Sequence, residues 1–254
     1  MTRLGMLTPS SNTVLEPVTY AMLAGIPDVT AHFARFPVTE IALSPGALGQ
    51  FDDSVILRAA ELLAHAKVDV IAWNGTSASW IGFESDERLC ARITAATGIR
   101  ACTTVLAYRD IFRCTGARRI GLVTPCTDDV QARIRANWGQ AGFTCAAERH
   151  VGLADNFSFA EVAPDHIGQM IREVAAEGCD AIVVLCTNID GARVGAMLEA
   201  ELNVPVYDSV PVYDSVPVYD SVAVTLWASL CAAAADPTRV AGGGRVFRLP
   251  SSPH

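Results

Sequence analysis

Short apolar runs recur along the chain, and between most of them lie stretches in which apolar residues return every three or four positions. The runs Leu4–Thr8, Val29–Phe33, Val68–Trp73, Arg100–Thr103, Arg119–Thr124 and Asp180–Leu185 predict strands, with a further strand in one of the Val-Pro-Val-Tyr segments after residue 203. The stretches Val55–Ala66, Asp86–Ala96, Asp128–Ala141, His166–Glu177 and Gly191–Leu202 predict helices, and Val222–Ala235 predicts another near the end. Apolar strands alternating with amphipathic helices give an α/β fold, with parallel sheet covered on both faces by helices.

The pattern also repeats. Arg3-Leu4-Gly5-Met6-Leu7-Thr8-Pro9 matches Arg119-Ile120-Gly121-Leu122-Val123-Thr124-Pro125, and Asp69-Val70-Ile71-Ala72 matches Asp180-Ala181-Ile182-Val183. Two matches in the same order and at nearly equal spacing predict two similar halves related by a pseudo-twofold axis, with an active site between them. The expected organisation is a first half over 1–117, completed by the helix 222–235, a second half over 118–221, and a tail over 236–254.

Composition narrows the function. The chain has 254 residues, is 51% hydrophobic and carries a net charge of −8. Scattered Lys and Arg argue against nucleic acid or a membrane surface as partner. Apolar runs of about eight residues are too short to span a bilayer, and the N-terminus lacks the pattern of a signal peptide, so a cytoplasmic protein is expected. The eight cysteines include no C-x-x-C pair and no neighbouring histidines, which argues against structural zinc or a redox pair. With no dinucleotide fingerprint or phosphate loop, the expectation is an enzyme that needs no cofactor and no metal. A homo-oligomer is compatible with all of this.

Candidate chemistry lies where the matched strands end, because ligands of open α/β sheets bind beyond the carboxyl ends of the strands. The segments there are Thr8-Pro9-Ser10-Ser11-Asn12, Gly75-Thr76-Ser77, Thr124-Pro125-Cys126-Thr127 and Cys186-Thr187-Asn188. If each opens a helix, backbone N–H groups and a positive dipole end face a small carboxylate. Cys186 follows an apolar strand, and a thiol at a helix N-terminus is expected to have a lowered pKa, suiting it to proton transfer at carbon. Its partner in the repeat is Gly75, so only one face of the substrate has a thiol. That asymmetry fits a reaction with one proton donor: decarboxylation through an enediolate-like carbanion, which Gly75, Thr76, Ser77, Thr187 and Asn188 would bind by their donors.

At these residues the chain resembles the aspartate/glutamate racemase superfamily, in its arylmalonate decarboxylase and maleate cis-trans isomerase branch. Ser10-Ser11-Asn12-Thr13-Val14-Leu15-Glu16-Pro17 is similar to the isomerase N-terminal motif. Asp155-Asn156-Phe157-Ser158-Phe159 is similar to an isomerase segment that supplies a substrate-binding Asn, so Ser11, Asn12 and Asn156 are expected to contact substrate. Gly75-Thr76-Ser77 resembles the decarboxylase motif, with Gly where isomerases and racemases carry their first Cys. Cys186 matches the second Cys, which both branches keep. The resemblance implies a single-cysteine decarboxylase, with a maleate isomerase or Asp/Glu-type racemase as the alternative. A non-catalytic carboxylate-binding protein is the second alternative. Both branches carry a carboxylate-binding Tyr before Asp-Asp-Val, where this chain has Cys126, either a displaced acid/base or a small spacer.

Val-Pro-Val-Tyr-Asp-Ser occurs three times, over 204–209, 210–215 and 216–221. One copy would complete the last strand, and the other two are expected to be an insertion away from the chemistry. Trp73, Trp80 and Trp227 are expected in the core or a pocket wall. The chain is expected to loosen from about Pro250.

Overall fold

The computed structural model describes residues 1–201 and 216–250. Its strands are β1 (Thr2–Pro9), β2 (Val29–Phe36), β3 (Val70–Trp73), β4 (Ala101–Thr103), β5 (Arg119–Thr124), β6 (Thr144–His150), β7 (Ala181–Val184) and β8 (Val218–Asp220). The α-helices are α1 (Leu15–Leu23), α2 (Pro45–Gly49), α3 (Asp53–His65), α4 (Ala78–Ile81), α5 (Phe83–Thr97), α6 (Thr104–Thr115), α7 (Asp128–Gln140), α8 (Pro164–Ala176), α9 (Gly191–Glu201) and α10 (Ser221–Ala232).

Two four-stranded sheets form, ordered β2-β1-β3-β4 and β6-β5-β7-β8, and every pairing in them is parallel. The second order repeats the first with each strand advanced by four, the duplication expected from the sequence. Its details repeat too. Asp69 Oδ2 accepts the N–H of Arg3 at 2.7 Å, and Asp180 Oδ2 accepts those of Arg118 and Arg119 at 2.8 Å, so an acidic residue before β3 and before β7 fixes the start of the neighbouring central strand. The N–H of Asn74 reaches the carbonyl of Leu7 at 3.1 Å and that of Leu185 reaches Val123 at 2.9 Å, extending both central pairings one step past the strands.

The halves meet through α6 and α10, which pack on each other; α10 also lies on β3, β4 and β8. Thr104 at the start of α6 donates to the carbonyl of Trp73 at 3.2 Å, and Ser221 at the start of α10 donates to that of Val184 at 2.9 Å. Each hydroxyl also meets one on the opposite helix: Thr104 with Thr225 at 2.6 Å, and Ser221 with Tyr108 at 3.1 Å. Central strands β1, β3, β5 and β7 are almost wholly buried, which explains their continuous apolar sequence.

The pattern did not single out β6, α1 or α6. β6, Thr-Cys-Ala-Ala-Glu-Arg-His, is an edge strand with mostly half-buried residues, so its sequence lacks an apolar run. One copy of the hexapeptide does pair in the sheet: the third supplies β8, beside β7. The first two copies, 204–215, lie outside the described residues. Among the described residues no helix is long and apolar enough to cross a membrane, and no group of His, Cys, Asp and Glu is placed to hold a metal ion.

Candidate active site

Hydrogen bonds tie together the turns after β1, β3 and β7. The Thr187 hydroxyl donates to the carbonyl of Asn74 at 3.1 Å and accepts Asn12 Nδ2 at 3.2 Å. Asn188 Oδ1 accepts the N–H of Thr13 at 2.9 Å and of Val14 at 3.3 Å, while its Nδ2 donates to the carbonyl of Asn156. Asn156 Nδ2 donates to Ser11 Oγ at 2.7 Å, and Ser11 donates in turn to Val38 O at 2.7 Å. Ser11, Asn12, Asn156, Thr187 and Asn188 therefore form one network, beside the Gly75-Thr76-Ser77 turn.

The network corrects one expectation. The first turn of α1 is not a row of free donors, because Asn12 Oδ1 takes the N–H groups of Val14 at 3.0 Å and Leu15 at 2.9 Å, while Asn188 takes Thr13. Asn12 and Asn188 act here as caps that hold α1 to the second half. Donors are free elsewhere: the N–H groups of Gly75, Thr76, Ser77, Cys186 and Thr187 meet no acceptor among the described residues. Thr76 and Ser77 are buried beside them.

Cys186 is also corrected. Helix α9 opens at Gly191, not at Thr187, so the thiol does not sit on a helix N-terminus. Burial pushes the thiol up to about 12, against the N–H of Asn188, which points at Sγ from 3.3 Å. Desolvation of the charged form outweighs one hydrogen bond. The charge of Asp220 pushes in the same direction as burial. Cys126 is likewise buried, its thiol raised first by burial and then by the nearby Cys186. Burial thus favours the protonated form of both thiols.

Gly75 lacks positive φ, and its constraint comes from a side chain instead. A Cβ built on Gly75 would lie 1.9 Å from the indole of Trp73. Trp73 folds back over the turn and fills the space that a side chain at 75 would need, resting against Phe36 with ring centroids 5.1 Å apart. As expected, Trp73 and Trp80 are core residues that also wall a cavity of about 320 Å³, which Ser77, Leu43, Leu48 and Phe51 help to line.

Two residues near Cys186 escaped sequence reading. The Tyr108 hydroxyl lies 3.0 Å from the carbonyl of Tyr219 and 3.4 Å from that of Val184. Asp220 caps α10 and is buried. Nothing in the α6 sequence marks Tyr108, but Asp-Ser before the apolar run of α10 is an N-cap signal, masked by its threefold repetition.

Comparison with known proteins decides the family: the model of the arylmalonate decarboxylase family matches residues 27–247. The chain belongs to that family. Its curated relatives include the maleate isomerase of Geobacillus stearothermophilus, 25% identical over 215 residues, covering 80% of this chain and 85% of that one. The maleate isomerase of Nocardia farcinica is 24% identical over 260 residues, covering 98% and 97%. Among solved structures, maleate isomerase Iso from Pseudomonas putida S16 aligns at a TM-score of 0.83 with 25% identity, covering 97% and 98%. Arylmalonate decarboxylase aligns at 0.75 with 20% identity, covering 98% and 100%. Membership places the chain among isomerase and lyase enzymes.

Proposed function

We propose that this chain acts on a small dicarboxylate through an enediolate-like intermediate, with Cys186 as its one proton-donating thiol, and that the reaction is decarboxylation of a malonate-type diacid. The observation that carries this reading is the contrast at the two repeat-related positions. Cys186 is a buried thiol whose protonated form burial favours, while Gly75 faces an indole that leaves no room for a second thiol. In the step as written, the bond from the α-carbon to one carboxylate breaks and carbon dioxide leaves. Its electron pair stays on the α-carbon, delocalised into the remaining carboxylate. The Cys186 proton then moves to carbon, and the thiolate recovers a proton from solvent. The free N–H groups of Gly75, Thr76 and Ser77 and the Thr76 and Ser77 hydroxyls stabilise the oxygens that gain charge. Ser77 also borders the cavity lined by Trp73, Trp80 and Phe51 together with Asp53, Asp86, Arg88 and Arg133.

A second reading, isomerisation of maleate, is favoured by the comparisons, since the curated relatives at 24–25% identity are maleate isomerases. The Nocardia protein with one cysteine changed to serine holds a covalent succinylcysteine. The same course here would need a cysteine thiolate that adds to the double bond. Only Cys186 and Cys126 are candidates, and burial opposes ionisation of both.

Incubating the purified chain with substituted malonates and with maleate separates the two readings. Carbon dioxide release from malonates without fumarate formation supports decarboxylation. Fumarate formation from maleate without carbon dioxide release overturns it in favour of the isomerase.

A further inference from the structure

Past the end of β6 the chain continues as a strap over 151–156. Its first N–H groups are sewn to the turn after β5: Val151 donates to the carbonyl of Thr124 at 3.1 Å, Gly152 to that of Cys126 at 3.1 Å and Leu153 to that of Pro125 at 2.8 Å. The strap then crosses to the first half. The carbonyl of Ala154 accepts the N–H of Ile41 at 2.8 Å, the N–H of Asn156 reaches the carbonyl of Thr39 at 2.9 Å, and Asn156 joins the network of Ser11 and Asn188. One segment thus holds both the Cys126 turn and the Asn156 contact.

His150, the last residue of β6, stands where the strap begins. Its Nδ1 lies 2.9 Å from Glu148 Oε2, and its Nε2 lies 2.6 Å from Oδ1 of Asp128, the first residue of α7. A carboxylate only accepts, so a ring that meets one at each nitrogen satisfies both bonds only when both nitrogens carry a proton. Buried Gln131 completes the arrangement, accepting the Thr124 hydroxyl at 2.8 Å and donating to Glu148 Oε2 at 2.9 Å. The Cys126 turn lies between Thr124 and Asp128, so both its ends belong to this chain of bonds. The other charged neighbours are engaged elsewhere. Asp129 takes the Thr127 hydroxyl at 2.6 Å and the Val130 N–H at 2.9 Å, and Arg149 is held by Glu173 and Glu177 of α8.

We propose that His150 is a pH-sensitive clasp: as an imidazolium it ties the end of β6 to the start of α7 and holds the strap and the Cys126 turn in place, and on losing a proton it releases one carboxylate and loosens both. The clasp works whichever reaction the site performs. The side chains of His150 and Glu148 are 22% and 24% exposed, whereas that of Asp128 is 96% exposed. Water can therefore replace the ring at Asp128, and the bond to Asp128 is the one that opens. Burial opposes charge on the ring, but the bonds to Asp128 and Glu148 outweigh it and raise the ring's pKa above 6.5. The clasp is closed at lower pH and opens as pH rises through that raised value.

The test is amide hydrogen exchange of Val151, Gly152 and Leu153 in the full chain between about pH 6 and 9. Rates are taken relative to an unstructured chain, so that the pH dependence of exchange itself cancels and local opening remains. In the parent, protection should fall about fivefold as pH rises, the loss expected for one half-exposed charge-assisted bond. Asp128→Asn offers an amide N–H to the unprotonated Nε2, so the neutral ring still makes both contacts. That variant should keep the parent's low-pH protection throughout. His150→Leu bonds to neither carboxylate and should show low protection at every pH. Asp128→Asn lies in solvent and serves alone if the Leu variant does not fold. Flat protection in the parent, or a parent-like fall in Asp128→Asn, would overturn the clasp.

Discussion

The indole of Trp73 stands where a Gly75 side chain would project, so the two residues are coupled. Gly75→Cys should destabilise the chain by about 1–3 kcal/mol through overpacking. The pseudo-symmetric partner of Trp73 is Val184, also at the end of a central strand. Gly75→Cys in a Trp73→Val background should therefore cost less than the sum of the single changes, which a double-mutant cycle of urea unfolding would measure. Simple additivity would show that the indole does not hold position 75. The sequence makes Gly75 visible as the odd member of the repeat but gives no sign of why it is glycine. That reason lies in a side chain two residues away that folds back on the turn. The direction of the Cys186 pKa was misread for a related reason: the position of a strand end is legible, but burial depends on what packs over it. On the proposed decarboxylation, Thr76 and Ser77 face charge that grows as carbon dioxide leaves. Thr76→Ala and Ser77→Ala should lower kcat more than they raise KM, and a change in KM alone would reduce either residue to substrate binding.

Among the elements, α1 depends on residues far away in sequence. Asn188 holds the N–H groups of Thr13 and Val14. Asn188→Ala should cost about 0.5–1.5 kcal/mol, because the part-buried Thr13 N–H loses its acceptor while Val14 keeps Asn12, seen as a lower thermal midpoint at unchanged α/β circular dichroism. An unchanged midpoint would make that bond dispensable. Helix α5 carries a different liability. Asp86 is buried on it with Oδ2 unpartnered, and burial raises its carboxyl to about 7 from an ordinary value of 3.8. Between those values the unfolded chain has released this proton and the folded chain has kept it, so stability falls as pH rises from about 4 to about 7. Asp86→Asn should flatten that fall in a series of thermal midpoints, and an unaltered profile would contradict the assignment. Elements with continuous apolar runs, such as β5 and β7, were legible from the chain. β6 was not, because half-buried edge residues alternate weakly, and α1 was not, because its capping acceptors come partly from the turn after β7.

For the whole molecule, the duplication was the most informative reading, since it anticipated two similar parallel-sheet halves and paired Gly75 with Cys186 in the repeat. The third hexapeptide copy supplies β8 and Asp220, so removal of the twelve residues 204–215 should leave a folded chain with parent activity. Loss of the cooperative unfolding transition would show that those copies are structural. The polar network and free N–H groups follow from the way the halves meet, which no local pattern encodes. The central claim is that a single protonated thiol, Cys186, delivers the proton to one face of the intermediate. Its most direct test is turnover of a prochiral substituted malonate in deuterium oxide, followed by the deuterium content and optical rotation of the monoacid product. The parent should give one enantiomer carrying one deuterium at the α-carbon, and Cys186→Ala should lose at least about 100-fold in rate. Racemic product from the parent, or near-parental turnover in Cys186→Ala, would contradict the account.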